Sequence, residues 1–420
     1  MSRFKSAVPS IVLAAACGVA LSVACTGIIG NGGTDLSSGG SSAGSGASSG
    51  GGAAGDGGGG LGGGAVSPDS VGPMPMIRLT NREYNNTVRD LLGDTTQPAN
   101  QFASDRSNPN FEFRVAGEVA VLDATLLQTV AESLATAAAP QIVQGALLPC
   151  DPATGEDACA QNFITTFGLR AFRRPVTTDE ATRLMGLYST GRSTQGLSFT
   201  GAIGLLIEAI LQTPQFLYHW EDDPAAAPIY EGSAIRLAPY QIASRLSYFI
   251  WGSMPDDALL AAAAAGQLDT EAGVEAAAGR LLADPRAKET VGSFFSDWLA
   301  LDGLAALSKD ATLYPNYTPA LQQAMLDETT TFVENVAFGG DGRLSTLLTA
   351  PYSYVNGALG AVYGAQASGT ALQRTDLNPA QRAGFLTQAS FLSLLGDPDG
   401  SNPVRRGKAV YTKLLCHTLP

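Results

Sequence analysis

Apolar positions in this chain recur at helical spacing almost everywhere after residue 76. Thr80-Asn-Arg-Glu83 is a capping box, and Tyr84, Val88, Leu91 and Leu92 behind it form one apolar stripe that Gly93 is placed to stop. Leu122, Leu126, Val130 and Leu134 repeat every four residues, an amphipathic helix expected to end before Pro140. Thr177-Thr-Asp-Glu180 is a second capping box, with Asp179 and Arg183 at helix-pair spacing. Ile203 to Leu211 is apolar nearly all round except Glu208, the pattern of a central, buried helix that Pro214 closes. Pro239 starts a helix with Ile242, Leu246 and Ile250 on one face. Asp257 to Ala265 and Thr270 to Leu282 are alanine-rich and helical by propensity. Asp284-Pro285 opens a helix bearing Phe294, Phe295, Trp298 and Leu301 at core spacing. Helices are also expected over Pro319 to Val336, Gln381 to Leu395 and Arg406 to Leu415, with a looser segment around Tyr352 to Asn356. Strand signals are few: Ile229-Tyr230 with Ala234 to Leu237 makes at most one short β-hairpin. The pattern predicts an all-α protein of bundle-like modules packed in series.

Ahead of the helices the pattern changes. Arg3 and Lys5 precede an apolar run from Ile11 to Val23, followed by Ala24-Cys25-Thr26. A charged start, an apolar stretch and a small-residue cleavage site make an export signal, here over residues 1–24. Cys25 is the candidate lipidation site, as the acylated first residue of a bacterial lipoprotein. Ser22 stands where such signals prefer an aliphatic residue, with Leu21 one place further back, so secretion without lipid is the alternative. A spanning anchor wants roughly 20 strongly apolar residues, and Cys17, Gly18, Cys25 and Thr26 interrupt this one. Thr26 rather than Asp after the cysteine favours an outer-membrane destination. Residues 25–70 carry the lipid-anchor cysteine and a Gly/Ser-rich disordered linker. A chain of that composition has a reach of roughly 35 Å, so it reads as a stalk.

Composition narrows the partners. The net charge is −13 and no basic stripe is present, so nucleic acid is not an expected partner. The expected partners are a membrane, through the lipid, and other envelope proteins. Two histidines, His219 and His417, are too few for a His-rich metal site, and no metal is expected. Cys150 and Cys159 flank Asp-Pro-Ala-Thr-Gly-Glu-Asp-Ala, and in an oxidising compartment they are expected to pair. Free or metal-bound thiols are the alternative, with no further Cys or His close by in sequence. Cys416 is then a free thiol, or its partner lies in sequence beyond Pro420.

Few residues carry a chemical signal. Arg170, Arg173 and Arg174 could bind an anion, or else cap helix ends and pair with acidic residues such as Asp179. Glu208, alone in an apolar helix, could serve as a general acid, or pair with Arg245. Asp327, Glu328 and Glu334 share one expected helix and could serve acid–base chemistry or calcium binding, or form a solvated face. Asp397-Pro-Asp-Gly-Ser-Asn402 resembles a calcium loop but lacks the spaced ligands and closing Glu, so a turn is expected. No nucleophile elbow, His-Glu-x-x-His or phosphate loop appears, and no catalytic residue is assigned.

Four blocks carry a resemblance to a family. They are Arg78 to Gly93; Cys159 onward with Phe167-Gly-Leu-Arg-Ala-Phe-Arg-Arg-Pro175 and Ser198 to Glu221; Leu237 to Trp251 through Met254-Pro-Asp256 to Tyr363-Gly364; and Arg382 to Thr387 with Asn402 to Gly407 and Leu414-Leu-Cys416. The chain resembles the modular exported proteins of Planctomycetes and myxobacteria built from tandem domains of unknown function, some fused to c-type cytochrome modules. The resemblance implies helical modules at 76–140, 150–222 and 232–365, and the incomplete start of a fourth at 380–420. His219 stands where the family commonly has Arg. Relatives continue into a Cys-x-x-Cys-His-like motif that this sequence does not contain, so the chain looks truncated at its C-terminus and no haem or other cofactor is expected. Three functions compete: an envelope interaction or scaffold protein, an accessory subunit of an exported redox or degradative system, and an extracytoplasmic enzyme using carboxylate and Arg groups in an interhelical cleft.

Overall fold

The computed structural model describes residues 76–107, 114–115, 121–145, 148, 150–219, 221, 229–231 and 234–417. The expected export signal, the candidate lipidation site Cys25 and the expected Gly/Ser linker lie outside the described residues. Helices dominate, and the all-α expectation is borne out. In chain order they are α1 (Asn81–Leu92), α2 (Val121–Gln144), α3 (Glu156–Phe172), α4 (Thr178–Ser193), α5 (Phe199–Leu211) and the single turn α6 (Pro214–Leu217). Next come α7 (Pro239–Trp251), α8 (Asp257–Ala264), α9 (Glu271–Leu282), α10 (Pro285–Leu299), α11 (Gly303–Ala306) and α12 (Pro319–Glu334). The last are α13 (Leu344–Thr349), α14 (Gly357–Tyr363), α15 (Ala389–Leu394) and α16 (Pro403–Ala409).

Strand among the described residues is confined to three two-stranded antiparallel ladders. β1 (Arg106–Ser107) pairs with β2 (Arg114–Val115), and β3 (Ile229–Glu231) with β4 (Ala234–Arg236), the anticipated hairpin. β5 (Tyr352–Val355) pairs with β6 (Gln373–Asp376), with Tyr352 opposite Asp376. The segment read as loose is therefore β5. Its alternation, with Ser353 and Val355 inward, is too short to stand out in sequence.

Both capping boxes form as read. The Thr80 and Thr177 hydroxyls accept from the Glu83 and Glu180 amides, whose carboxylates reach back to the cap amides. The expected stop before Pro140 is wrong: α2 continues to Gln144 with Pro140 inside it. An internal proline costs about 3 kcal/mol. Burial of Ala138, Ala139 and Ile142 in the core that α2 shares with α5 outweighs that. The two helices pack closely because Gly204 faces Ala139; a Cβ there would lie 3.5 Å from the alanine methyl. The helix expected over Gln381 to Leu395 shrinks to α15. Gly384, at φ 58°, turns the chain where a Cβ would fall 2.2 Å from the Leu347 carbonyl oxygen, so only glycine fits.

The first core joins α1 to α6 around Ile203, Leu206, Ile207 and Ile210 of α5, and it also takes in Tyr248 and Met254 from the third segment. A second core gathers around Phe332, Val336 and Phe385, and a smaller third one around Trp251. On α7 the buried residues are Gln241, Ala243, Ser247, Tyr248, Ile250 and Trp251; of the expected apolar face Ile250 is buried, whereas Ile242 and Leu246 are half-buried. The reason is that α7 is wedged between α1, α8, α9 and α10, so small and aromatic residues suit its crowded sides. Cys150 and Cys159 form a disulfide, Cα atoms 5.6 Å apart, that ties the incoming loop to the first turns of α3. No helix among the described residues is long and apolar enough to cross a membrane.

Polar junctions brace the segments. Residues 77–79 run antiparallel to 217–219, with Leu79 N–H donating to Leu217 O at 2.8 Å and His219 N–H to Ile77 O at 2.8 Å. Arg173, buried at the end of α3, donates to the carbonyls of Gln215 (2.6 Å), Phe216 (3.2 Å) and Tyr218 (2.7 Å) and to the Tyr248 hydroxyl (3.3 Å). Tyr248 in turn meets Thr87 of α1 at 2.8 Å. Replacing Arg173 with Ala leaves three carbonyls short of a donor. Arg173→Ala is expected to cost about 3 kcal/mol, read as a lowered midpoint in chemical denaturation with an unchanged far-UV spectrum.

Candidate functional site

The candidate arginines are committed to internal contacts. Arg174 grips Glu180 with both terminal nitrogens (3.0 and 2.8 Å) and donates to Pro175 O (2.9 Å), so its acidic partner is Glu180 rather than Asp179. Burial pushes the Glu180 carboxyl up, but Arg174 and the Thr177 bonds outweigh it and hold the pKa below the usual range. Arg170 donates to Asp90 O at 3.2 Å and lies 3.4 Å from Asp257. With Arg173 on its carbonyls, all three act as helix caps and braces.

The pairing expected between Glu208 and Arg245 does not form. Arg245 instead holds both oxygens of Glu221 at the entry to the third segment. Glu208 points to a half-exposed edge of α5 beside Gln212 (3.4 Å), where burial and then Glu132 raise its pKa. A central helix can carry such a residue because α5 has one rim that α2 and α4 leave uncovered. His219 sits 3.4 Å from Glu83 with its ring edge-on to Tyr248 at 4.7 Å, a structural seat beside the first capping box.

Asp327, Glu328 and Glu334 share α12, as read, but the helix divides them. Asp327 and Glu334 line an open groove of about 670 Å³ between α10 and α12, together with Glu289, Ser293, Ser296 and Thr330. Burial raises the Glu334 pKa, Lys288 opposes this and Glu289 adds to it. Glu328 faces the other way, at 0 % exposure in the second core.

Glu328 is the centre of a closed polar cluster. Its Oε1 accepts from Ser353 Oγ of β5 at 2.5 Å, and Tyr363 of α14 donates to Oε1 at 2.7 Å and Oε2 at 2.8 Å. Gln388 Nε2 donates to Ser353 Oγ (3.0 Å), and Ala389 N–H donates to the Tyr363 oxygen (2.8 Å). Thr329 and Ser390 hydroxyls meet alongside at 2.6 Å. Arg382 lies over the Tyr363 ring, 4.8 Å from its centre, and donates to Thr387 O. Burial pushes the Glu328 carboxyl up to about 7, against the pull of Ser353, Tyr363 and the Arg382 charge. Burial and the neighbouring Glu328 push the Tyr363 phenol well above its ordinary value, so it stays protonated.

Sequence reasoning reached Glu328 through its helix but missed Ser353, Tyr363 and Gln388. They arrive from three separate elements, and no spacing rule links them. The Asp397 to Asn402 stretch is a turn, as expected: Asp397 N–H donates to Gly400 O (2.9 Å) and its carboxylate takes Asn402 Nδ2 at 3.0 and 3.2 Å. Lys309 donates to the carbonyls of Ser393 and Asp397. No group of three or more His, Cys, Asp or Glu among the described residues is placed to hold a metal ion. Cys416 is a free, exposed thiol, followed by His417 stacked on Tyr411 at 4.7 Å.

This architecture belongs to a chain of consecutive helical domains. Three family models match it in series: Protein of unknown function (DUF1587) over residues 78–143, Protein of unknown function (DUF1595) over 159–221, and Protein of unknown function (DUF1592) over 237–365. The chain belongs to the modular proteins built from these tandem domains of unknown function. No curated protein and no solved structure matches it. The matched stretches are not three separate cores, since the first two share one and the third lends it Tyr248.

Tyr363 is the cluster's most exposed link and its only donor to both Glu328 oxygens. Tyr363→Phe removes that donor and strands the Ala389 amide. The expected cost is about 1–3 kcal/mol, with faster hydrogen exchange at Ala389 than in the unaltered protein.

Proposed function

We propose that this is an exported, lipid-anchored cell-envelope protein that acts as an interaction or scaffold module, carried on a Gly/Ser stalk. Support for the location comes from Arg3, Lys5, the apolar run to Val23 and Cys25, and from the disulfide between Cys150 and Cys159, a bond that persists in oxidising compartments. The outer membrane is the destination that Thr26 favours.

The observation that carries the scaffold role is the bracing of three domains into one body. Thr87, Arg173 and Tyr248 meet at its centre. Asp90 gathers Ser253 (2.7 Å), Arg286 (3.3 Å) and Arg89 (2.9 Å) beside them. Arg286 in turn lies 3.4 Å from the centre of the buried Trp251 ring. A body cross-braced in this way holds its surface features in fixed register, which suits a platform for partners. Glu328, the carboxylate tuned towards neutrality, supports the same reading because it lies sealed in the core and away from the open groove.

Intact mass of the mature protein from envelope fractions tests the reading. The expected result is a chain starting at Cys25 with added acyl mass, oxidised at Cys150 and Cys159. Recovery of the uncleaved chain from the cytosol, with those thiols reduced, would overturn it.

A further inference from the structure

A pocket of about 480 Å³ lies between the first turns of α1, the turn at Pro98–Gln101 with the residues up to Asp105, and Ser293 and Asp297 of α10. That volume falls within the roughly 300–1,000 Å³ of small-molecule sites. Side-chain amides dominate its wall: Asn81, Asn85, Asn86, Gln97 and Asn100. An amide both gives and takes hydrogen bonds, as a hydroxyl does.

Backbone groups fix which way these amides point. Ala99 N–H donates to Asn85 Oδ1 (2.8 Å), so Asn85 Nδ2 donates to Asn100 Oδ1 (3.1 Å) and Asn100 Nδ2 to Gln97 Oε1 (3.1 Å). This relay ends on the Gln97 Nε2 group, and each amide nitrogen along it carries a second hydrogen. The carbonyls of Ala103 and Gly252 take hydrogens from Asn81 and Asn86 (2.9 and 3.1 Å), which leaves the two Oδ1 atoms as acceptors. Asn81 Oδ1 is buried and has no hydrogen-bond partner. The wall thus offers donors and acceptors together.

The charges disfavour an anion. Arg82 is the one cation in the wall, against Glu83, Asp105 and Asp297. Glu83 and Asp105 serve the start of α1: Glu83 takes the Thr80 amide and hydroxyl (2.8 and 2.9 Å), and Asp105 takes Asn81 N–H (2.8 Å). A neutral ligand rich in hydroxyls suits such a wall, and the Phe102 ring, 7 % exposed, supplies an apolar section for its C–H face. Ser293 lines both this pocket and the groove between α10 and α12, where Ser296, Thr330, Thr331 and Thr370 continue the hydroxyl lining.

We propose that this pocket binds a neutral sugar ring of a glycan chain, with the amide relay on its hydroxyls and the chain running past Ser293 into the groove. Binding makes hydrogen bonds only, and no covalent bond changes. The site goes beyond the scaffold role and does not depend on export or acylation.

Gln97 provides the test. It sits at φ 55°, in the left-handed region, immediately before Pro98. Glycine adopts that backbone without strain, so Gln97→Gly removes the end of the relay while the melting temperature holds or rises. The full chain is titrated calorimetrically with cellotetraose, maltotetraose, mannotetraose and chitotetraose. At least one is expected to give saturable heat at millimolar concentration, and Gln97→Gly and Asn100→Ala each to weaken it about three- to tenfold. The same sugar as a disaccharide should bind less tightly. Absence of saturable binding to all four overturns the site, and so does an affinity that either folded variant leaves unchanged. A disaccharide as tight as the tetrasaccharide overturns the run into the groove. If Asn100→Ala does not fold, Gln97→Gly decides.

Discussion

A buried guanidinium that must be fully hydrogen-bonded organises the centre of this protein. Arg173 ends α3 in the left-handed region, at φ 59°, which turns its side chain back under the one-turn helix α6. Burying a charge is costly unless its donors are satisfied. Here the carbonyls of Gln215, Phe216 and Tyr218 and the Tyr248 hydroxyl satisfy them. Those acceptors line up only if α6 keeps its turn, residues 217–219 stay paired with 77–79, and α7 brings Tyr248 in beside Thr87. One side chain thus links the local geometry of the second domain to the docking of the first and third.

The same helix, α1, serves both sides of this arrangement. Its apolar face, Tyr84, Val88 and Leu91, enters the first core. Its other face presents Asn86 to the Gly252 carbonyl and Asp90 to Ser253 and Arg286. Gly252, at φ 60°, lets the chain turn directly against Arg82, where a Cβ would lie 2.6 Å from a guanidinium nitrogen. Hydrophobic burial supplies the cohesion of each core. The polar contacts decide how the cores sit against one another, because they are satisfied in one alignment only. A body whose domains are cross-braced in this way is the physical content of the proposed scaffold role.

Much of the fold was legible in sequence because it rests on local signals. The two capping boxes, the apolar run from Ile203 to Leu211, the proline starts at Pro239, Pro285 and Pro319 and the hairpin at 229–236 all formed as read. The disulfide followed from compartment and isolation, and it is present. What sequence could not supply was tertiary choice. Pro140 is overridden by the close packing of α2 on α5. Arg245 takes Glu221 rather than Glu208 because the chain turns back before α7. Ser353, Tyr363 and Gln388 carry no mutual spacing, yet they converge on Glu328 from β5, α14 and the end of a short turn. A one-dimensional pattern reports which face of a helix is apolar, and it is silent on which distant polar group will meet it.

The account stands or falls on whether the central junction couples the domains energetically. A double-mutant cycle on Thr87→Val and Tyr248→Phe, read by chemical denaturation, measures that coupling across the first and third domains. The account predicts that the two changes together cost little more than either alone, a coupling of about 1 kcal/mol or more. Strict additivity of the two costs would contradict it.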